Sequence, residues 1–146
     1  MARKLEAEWL QGTASLGTAT TWAVEEVRLI AELGYALAEL ERTEEALVVF
    51  EGLAALSPST PYFQAALGAL KLRLSKPEEA IGYLDAAIAA NASDVASLVN
   101  RAEAYLTLGK RDRALLDLRA ALRQDTHLQP DNPSLVRARA LLARYG

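Results

Sequence analysis

The chain has 146 residues, of which 51% are hydrophobic and 24% charged, with a net charge of −3 and no cysteine. This composition is typical of a globular domain, disfavours a nucleic-acid partner, which would need a basic surface, and excludes disulfides and thiolate metal sites. No apolar run approaches the roughly 18 residues of a membrane span, and the first residues lack the apolar stretch of a signal peptide. We therefore expect a cytoplasmic protein without stable membrane insertion.

Residues 1–19 differ from the rest of the chain and are predicted to form a separate N-terminal arm. Leu5 and Trp9 are four positions apart and can share one face of a helix, but the glycines that follow interrupt any longer helix. Leu5, Trp9 and Trp22 are more apolar than a free arm requires. We therefore expect the arm to pack on its own repeats or on a second copy of the chain.

Residues 20–146 are predicted to form a single domain, because their sequence repeats with a period of 34 residues. Two positions of the repeat hold small residues, and two others hold apolar residues. These sets are Gly34, Gly68 and Ala102; Ala46, Ala80 and Ala114; Phe50, Leu84 and Leu118; and Leu53, Ala87 and Ala121. A 34-residue period with small residues at fixed points resembles the tetratricopeptide repeat, a pair of helices, A and B, that stacks on its neighbours to form a curved solenoid.

The period predicts an all-α fold: a tetratricopeptide-repeat solenoid of three helix–turn–helix repeats and a C-terminal capping helix, with seven main helices and no strand. The repeats cover about residues 27–60, 61–94 and 95–128, and the capping helix covers about residues 132–145. We expect this last helix to cover the open end of the third repeat, because the terminal repeats of a solenoid need a cap.

Prolines and capping residues set the expected helix ends. Helix B of the first repeat, residues 43–56, stops at the Ser-Pro pair that follows it, because proline cannot continue the helix. Pro61 suits the first turn of the next helix A, and residues 75–78, Ser-Lys-Pro-Glu, have the pattern of a capping box before helix B. Asn132 is a good N-cap for the capping helix, and Pro133 is a good first residue.

The small residues predict close helix crossings inside each repeat. In the second repeat, Gly68 of helix A is expected to meet Ala80 of helix B. A larger residue at either place would push the two helices apart. Leu84, one turn further along helix B, is expected to fill the space toward the next repeat.

The middle of the chain carries a more particular pattern. A Phe-x-x-Leu-x-x-Leu segment ends helix B of the first repeat, aromatic residues follow a short turn, and a Leu-Gly-Ala comes next. These residues are Phe50, Leu53 and Leu56; Tyr62 and Phe63; and Leu67, Gly68 and Ala69; the third repeat adds Ala102, Glu103, Leu106 and Gly109. Over about residues 27–122 the chain resembles the class II chaperones of bacterial type III secretion systems.

The resemblance implies a cytoplasmic chaperone that holds a hydrophobic translocator protein before its export. An extended segment of the translocator, with the pattern Pro-x-Leu-x-x-Pro, would lie in the concave groove of the solenoid. The resemblance also favours a homodimer. The family often has cysteines in these helices, and this chain has none and a short arm. The expected partner is therefore a protein or peptide, and no cofactor is expected.

The groove of a tetratricopeptide-repeat protein is formed largely by its A helices. The resemblance therefore implies a peptide-binding groove made of Tyr35, Ala38, Tyr62, Ala65, Ala66, Ala69, Leu72, Val99, Asn100 and Leu106. The alanines leave room for proline and leucine side chains, and Tyr35, Tyr62 and Leu72 supply walls. Alternatively, Tyr35 and Tyr62 are packing residues whose hydroxyls lie at the rim.

Other candidate sites have simpler structural interpretations. His127 is the only histidine and lies in a linker, so no metal site is expected. The paired glutamates at 44–45 and 78–79 recur with the period and open the B helices, where acidic side chains interact favourably with the helix dipole, so catalytic carboxylates are not expected. The arginines of the capping helix are interpreted as a solvated face. They are Arg137, Arg139 and Arg144.

A second function class remains open: a general scaffold or assembly adaptor that joins proteins. Adaptors that hold the acidic C-termini of heat-shock chaperones use a clamp of lysine, arginine and asparagine. The matching places here are Ala31, Tyr35, Ala66, Ala96 and Asn100. Most of them carry no basic or amide group, which disfavours acidic tails. An enzyme is expected least, because the sequence has no nucleophile–base motif and no phosphate-binding loop.

Overall fold

A computed structural model describes residues 24–124 and 131–146, and these residues contain seven α-helices and no strand. The helices are α1 (Val24–Glu39), α2 (Thr43–Leu56), α3 (Pro61–Arg73), α4 (Pro77–Ala90), α5 (Val95–Thr107), α6 (Arg111–Leu122) and α7 (Pro133–Tyr145). The pairs α1–α2, α3–α4 and α5–α6 are the A and B helices of three repeats, and α7 is the capping helix. The predicted all-α tetratricopeptide-repeat solenoid is confirmed. The predicted arm and His127 lie outside the described residues.

Local signals place several helix ends as predicted. α2 ends at Leu56, and α3 begins at Pro61. Asn132 Oδ1 accepts a hydrogen bond from the Ser134 N–H at 3.0 Å and so caps α7. The predicted capping box is wrong: Lys76 is the N-cap of α4, and its side chain makes no capping hydrogen bond.

The three turns inside the repeats share one backbone conformation, which explains the missing capping box. Their central residues, Glu41, Ser75 and Gly109, are 34 positions apart and have positive φ angles of 60°, 59° and 75°. In each turn the next residue donates its N–H to the carbonyl oxygen five residues earlier, at 2.8 to 3.0 Å. This is the Schellman motif, which ends a helix with a left-handed residue. Ser75 therefore ends α3 and does not cap α4.

Glycine is required where helix A crosses helix B in the first two repeats. A Cβ added at Gly68 would lie 2.5 Å from Leu84 Cγ and 3.4 Å from the Ala80 carbonyl oxygen. A Cβ added at Gly34 would lie 2.8 Å from Phe50 Cε2. The predicted close crossing is present and includes Ala80, but the tightest neighbour of each glycine is the large residue one turn further along helix B. Phe50 and Leu84 therefore fill space inside their own repeats, and Phe50 also reaches toward the next repeat, as predicted, where its ring packs against Tyr62 and Phe63.

The core consists of two hydrophobic clusters on either side of α4. The first cluster includes Phe50, Phe63 and Leu67 and lies among α1, α2 and α3. The second cluster includes Leu118 and Leu135 and lies among α5, α6 and α7. α4 packs against both α3 and α5 through a buried face of alanine and leucine. The two halves of the solenoid thus have separate interiors.

Candidate functional site

The A helices form the inner row of the solenoid. α3 contacts α5, and α5 contacts α7, more closely than neighbouring B helices contact one another. α1 is joined to this row by Arg73 of α3, whose Nη1 donates to the Ala38 carbonyl oxygen at 2.9 Å. In a curved stack the inner row is the more closely spaced, so α1, α3, α5 and α7 line the concave side. We call the solvent-facing residues of these four helices the concave surface.

Two tyrosines stand on the N-terminal half of the concave surface, on α1 and α3. Tyr35 is 56% exposed. Tyr62 is half-buried and packs edge-on against Phe50 and Phe63, with ring centroids 6.3 and 5.9 Å apart. Burial, with a further electrostatic contribution from Tyr35, raises the pKa of Tyr62 to about 12. Tyr62 is therefore a neutral packing residue at the edge of the first cluster, and Tyr35 projects from the surface.

Alanines make up much of the remainder of this half. Ala38, Ala65, Ala66 and Ala69 are all half-buried, and so is Leu72. Their methyl groups reach the surface without filling the space above it. The N-terminal half therefore offers an apolar floor of mostly small side chains, and covering such a surface releases roughly 25 cal/mol per Å² of apolar area.

The C-terminal half places the predicted groove residues differently. Val99 is fully buried in the second cluster, which side chains of α6 and α7 complete, so its assignment to the groove surface is wrong. Leu106 is half-buried and packs against the same cluster. Asn100 is half-buried, and its Oδ1 accepts a hydrogen bond from Arg137 Nη2 of α7 at 3.5 Å. On α5, only Asn100 and Leu106 of the predicted residues have appreciable surface.

An ion pair between α7 and α5 covers the end of the C-terminal half. Arg137 Nε donates to Glu103 Oε1 at 2.5 Å, and Arg137 Nη2 donates to the other carboxylate oxygen. The two residues are 34 positions apart, because α7 stands where helix A of a fourth repeat would stand. Arg137 is exposed, as expected of a solvated face, and its guanidinium is in addition held by Glu103 and Asn100.

A second ion-pair network joins α5 to α4 and α6. Arg101 of α5 occupies the repeat position that holds Leu67 in α3. Its guanidinium donates to the two carboxylate oxygens of Asp117 on α6, at 2.7 and 2.8 Å, and to Asp85 on α4 at 2.9 Å. The hydrogen bonds to Asp117 are the main cause that raises the pKa of Arg101, against the opposing effect of burial. The only sequence signal of this network is an arginine at a position that is leucine in α1, α3 and α7.

Among residues 24–124 and 131–146, no helix is long and apolar enough to cross a membrane. No three acidic or histidine side chains of these residues are grouped so that they could hold a metal ion.

Comparisons with known proteins agree with the repeat architecture. The family model described as tetratricopeptide repeat matches residues 95–127. No curated protein sequence matches the chain. The structure is similar to SycD of Yersinia enterocolitica, a type III secretion chaperone, in complex with a peptide of the translocator YopD. These two chains share 18% identity over 83% of this chain and 92% of SycD, with a TM-score of 0.76.

Two other solved structures illustrate the range of similar proteins. PcrH of Pseudomonas aeruginosa, in complex with the chaperone binding region of PopD, shares 19% identity over 85% of this chain and 93% of PcrH, with a TM-score of 0.78. The first tetratricopeptide-repeat domain of Spaghetti (RPAP3), bound to the HSP90 peptide SRMEEVD, shares 20% identity over 82% of this chain and 94% of that domain, with a TM-score of 0.67. At these identities the similarity establishes the fold.

Proposed function

We propose that the chain is a class II chaperone of a bacterial type III secretion system. It acts in the cytoplasm as a binding protein rather than an enzyme, and its partner is a hydrophobic translocator protein. An extended segment of that partner lies on the concave surface. The observation that carries this proposal is the apolar, alanine-lined N-terminal half of that surface, and the likeness to SycD and PcrH, each solved with a segment of its partner, supports it.

The chemistry of this half matches an extended segment with spaced proline and leucine side chains. The small alanine side chains leave room for such side chains, and full burial of one contributes about 1.5–3 kcal/mol. A proline-containing backbone has little conformational freedom to lose on binding, so more of that energy appears as affinity. The exposed hydroxyl of Tyr35 can hydrogen-bond to a carbonyl of the bound backbone.

The two halves of the concave surface also predict where the ligand is anchored. Ala66 and Leu72 on α3 present apolar surface, whereas on α5 the side chain of Val99 is enclosed. Beyond it, Glu103 and Arg137 present a paired charge. An apolar segment would leave this charge desolvated without new partners, which is unfavourable. The anchoring side chains of the ligand therefore lie on α1 and α3.

Calorimetric titration with a Pro-x-Leu-x-x-Pro peptide tests the proposal. Ala66→Glu places bulk and charge on the apolar floor, so we expect at least a tenfold loss of affinity, equivalent to about 1.4 kcal/mol. The matched control is Ala86→Glu, the same change at an exposed position of α4 in the outer row, which should bind as the wild type does. Tyr35→Ala removes an exposed wall without touching the core and should weaken binding to a smaller extent. Helical content measured by circular dichroism must be equal in all four proteins.

The alternative function, an adaptor that holds an acidic tail, is favoured by one observation, the likeness to the Spaghetti domain with its bound SRMEEVD peptide. The surface chemistry disfavours it here, because Ala66 and Ala96 stand where a basic clamp is expected. Titration with SRMEEVD in parallel separates the two functions. Binding of SRMEEVD with no binding of the proline-containing peptide would replace the chaperone proposal with the adaptor.

A further inference from the structure

The N-terminal end of the solenoid carries an uncovered apolar face. Leu29 and Leu33 of α1 are 59% and 53% exposed, and Leu40, directly after α1, is 67% exposed. Ala36 is also exposed. These four residues recur at intervals of three and four, so they lie on one side of the helix. We call them the N-terminal end face.

The second repeat shows what covers the equivalent face of its helix A. Phe63 and Leu67 stand 34 positions after Leu29 and Leu33, and they are 0% and 1% exposed. Phe63 packs against Phe50 of α2, with ring centroids 6.4 Å apart, in the first hydrophobic cluster. Helix B of the preceding repeat therefore covers this position of helix A. α1 therefore carries the same apolar face that, in α3, packs against the preceding helix B.

We propose that residues 9–19 of the same chain cover the N-terminal end face, in the place that helix B of a preceding repeat would take. The segment has the small, large and apolar residues of the B helices in the correct register. Gly12, Leu16 and Ala19 stand 34 positions before Ala46, Phe50 and Leu53. Leu16 is thus placed to contact Leu29 and Leu33 as Phe50 contacts the face of α3.

The length of chain before α1 favours this segment over a second copy of the protein. α2 has 14 residues, and residues 57–60 connect it to α3. Residues 1–23 precede Val24 and so provide enough chain for a helix of similar length and its connection. A covalent tether of this length gives an effective concentration in the millimolar range, which exceeds that of a second copy in dilute solution.

The same arrangement closes the other end of the solenoid. α7 stands where helix A of a fourth repeat would stand, and its Leu135 is fully buried in the second cluster. Residues 9–19, bound to the N-terminal end face, would cover the first repeat as α7 covers the third. Gly12 and Gly17 lower the helix propensity of this segment, so we expect any order in it to depend on contact with the N-terminal end face.

Hydrogen exchange of the full-length chain tests this inference, read by mass spectrometry on fragments covering residues 9–19. In the wild type we expect exchange at least about tenfold slower than in a synthetic peptide of the same sequence. Leu33→Glu should abolish the protection, because it places a charge in the contact. Leu116→Glu is the matched control, since Leu116 is 65% exposed on α6, far along the chain from this face, and it should leave the protection intact.

A second variant and a mass measurement complete the test. Leu16→Glu lies in the segment itself, leaves α1 to α7 unaltered, and should abolish the protection in the same way. Light scattering should give the mass of a monomer at the concentration of the exchange experiment. Exchange as fast as in the free peptide overturns the inference, and so does protection that both variants leave unchanged. Protection that appears only where the mass is that of a dimer overturns it in favour of a second copy.

Discussion

The two halves of the solenoid use the same repeat position in opposite ways. In the N-terminal half, Leu67 fills the position of helix A that faces the preceding helix B, and it packs in a cluster with Phe50. In the C-terminal half, Arg101 fills that position and is held by Asp117 and Asp85. The 34-residue period therefore determines where a side chain stands, and the residue type decides whether its contacts are apolar or ionic.

The concave surface follows the same division. Tyr35 and the alanines of α3 give the N-terminal half an apolar surface. Glu103 and Arg137 give the C-terminal half a paired charge, which also links α7 to α5. The charged groups of the C-terminal half thus pair with each other, whereas the N-terminal half leaves apolar surface free for a partner.

The largest effect is expected from Arg101→Leu. The substitution restores the residue type of the N-terminal half but leaves the carboxylate of Asp117 buried without its partner, which costs about 3–5 kcal/mol. Urea denaturation measures the change in the free energy of unfolding. The double variant Arg101→Leu/Asp117→Leu should recover most of the loss. A cost below about 1 kcal/mol for the single variant would mean that the network behaves like an exposed pair.

Gly68→Ala should destabilise the N-terminal half by about 1–3 kcal/mol, because the added methyl group overlaps Leu84. Gly82→Ala is the matched control, because Gly82 is an exposed residue of α4 and its added methyl group would meet nothing within 4 Å. The control should stabilise the helix by up to about 1 kcal/mol. Thermal unfolding followed by circular dichroism gives both values, and a shift of the same sign in the two variants would contradict the close crossing.

Alkaline pH should weaken the N-terminal half through Tyr62. Its pKa is raised from 10.0 to about 12 in the folded chain, so folding favours the protonated phenol. The resulting stability is present below pH 10 and is lost as the pH rises from 10 to 12. Between pH 10 and pH 12, the urea concentration at the midpoint of unfolding should fall less steeply for Tyr62→Phe than for the wild type. Parallel curves for the two proteins would show that Tyr62 is not shielded from solvent.

The smallest effect concerns the turns. Ser75 has a φ of 59°, which glycine adopts without strain, so Ser75→Gly should stabilise the chain by about 0.5–1 kcal/mol. Gly109→Ser, the reverse change at the equivalent turn of the third repeat, should destabilise it by a similar amount. Denaturation midpoints of the two variants check both signs. Equal signs would mean that the turns are not equivalent.

Features set by local sequence were predictable. The period located the repeats, and Pro61 and Asn132 located helix starts, because each signal acts within a few residues of itself. The capping box at residues 75–78 was misassigned, since the same serine could cap α4 or end α3 in the left-handed conformation. The N-terminal residues of the predicted groove, Tyr35 and Tyr62, rest on repeat geometry and remain a prediction for binding.

Features that depend on contacts between repeats were not predictable. The network of Arg101 joins residues 16 positions away on either side, a spacing that the 34-residue period does not contain. Val99 stands at the position of Ala65, but its larger side chain is enclosed by a cluster that α7 helps to complete. The pairing of Arg137 likewise depends on α7 continuing the row of A helices, which composition alone does not indicate.

The same substitution made in both halves compares their contributions to peptide binding. Ala66 lies on α3 in the apolar half, and Ala96 lies on α5 in the charged half. Titration of a Pro-x-Leu-x-x-Pro peptide into Ala66→Glu and Ala96→Glu compares them under identical conditions. We expect at least a tenfold loss of affinity for Ala66→Glu and an affinity within twofold of the wild type for Ala96→Glu, that is, about 1.4 kcal/mol against less than about 0.4 kcal/mol. A larger loss for Ala96→Glu than for Ala66→Glu would contradict this expectation.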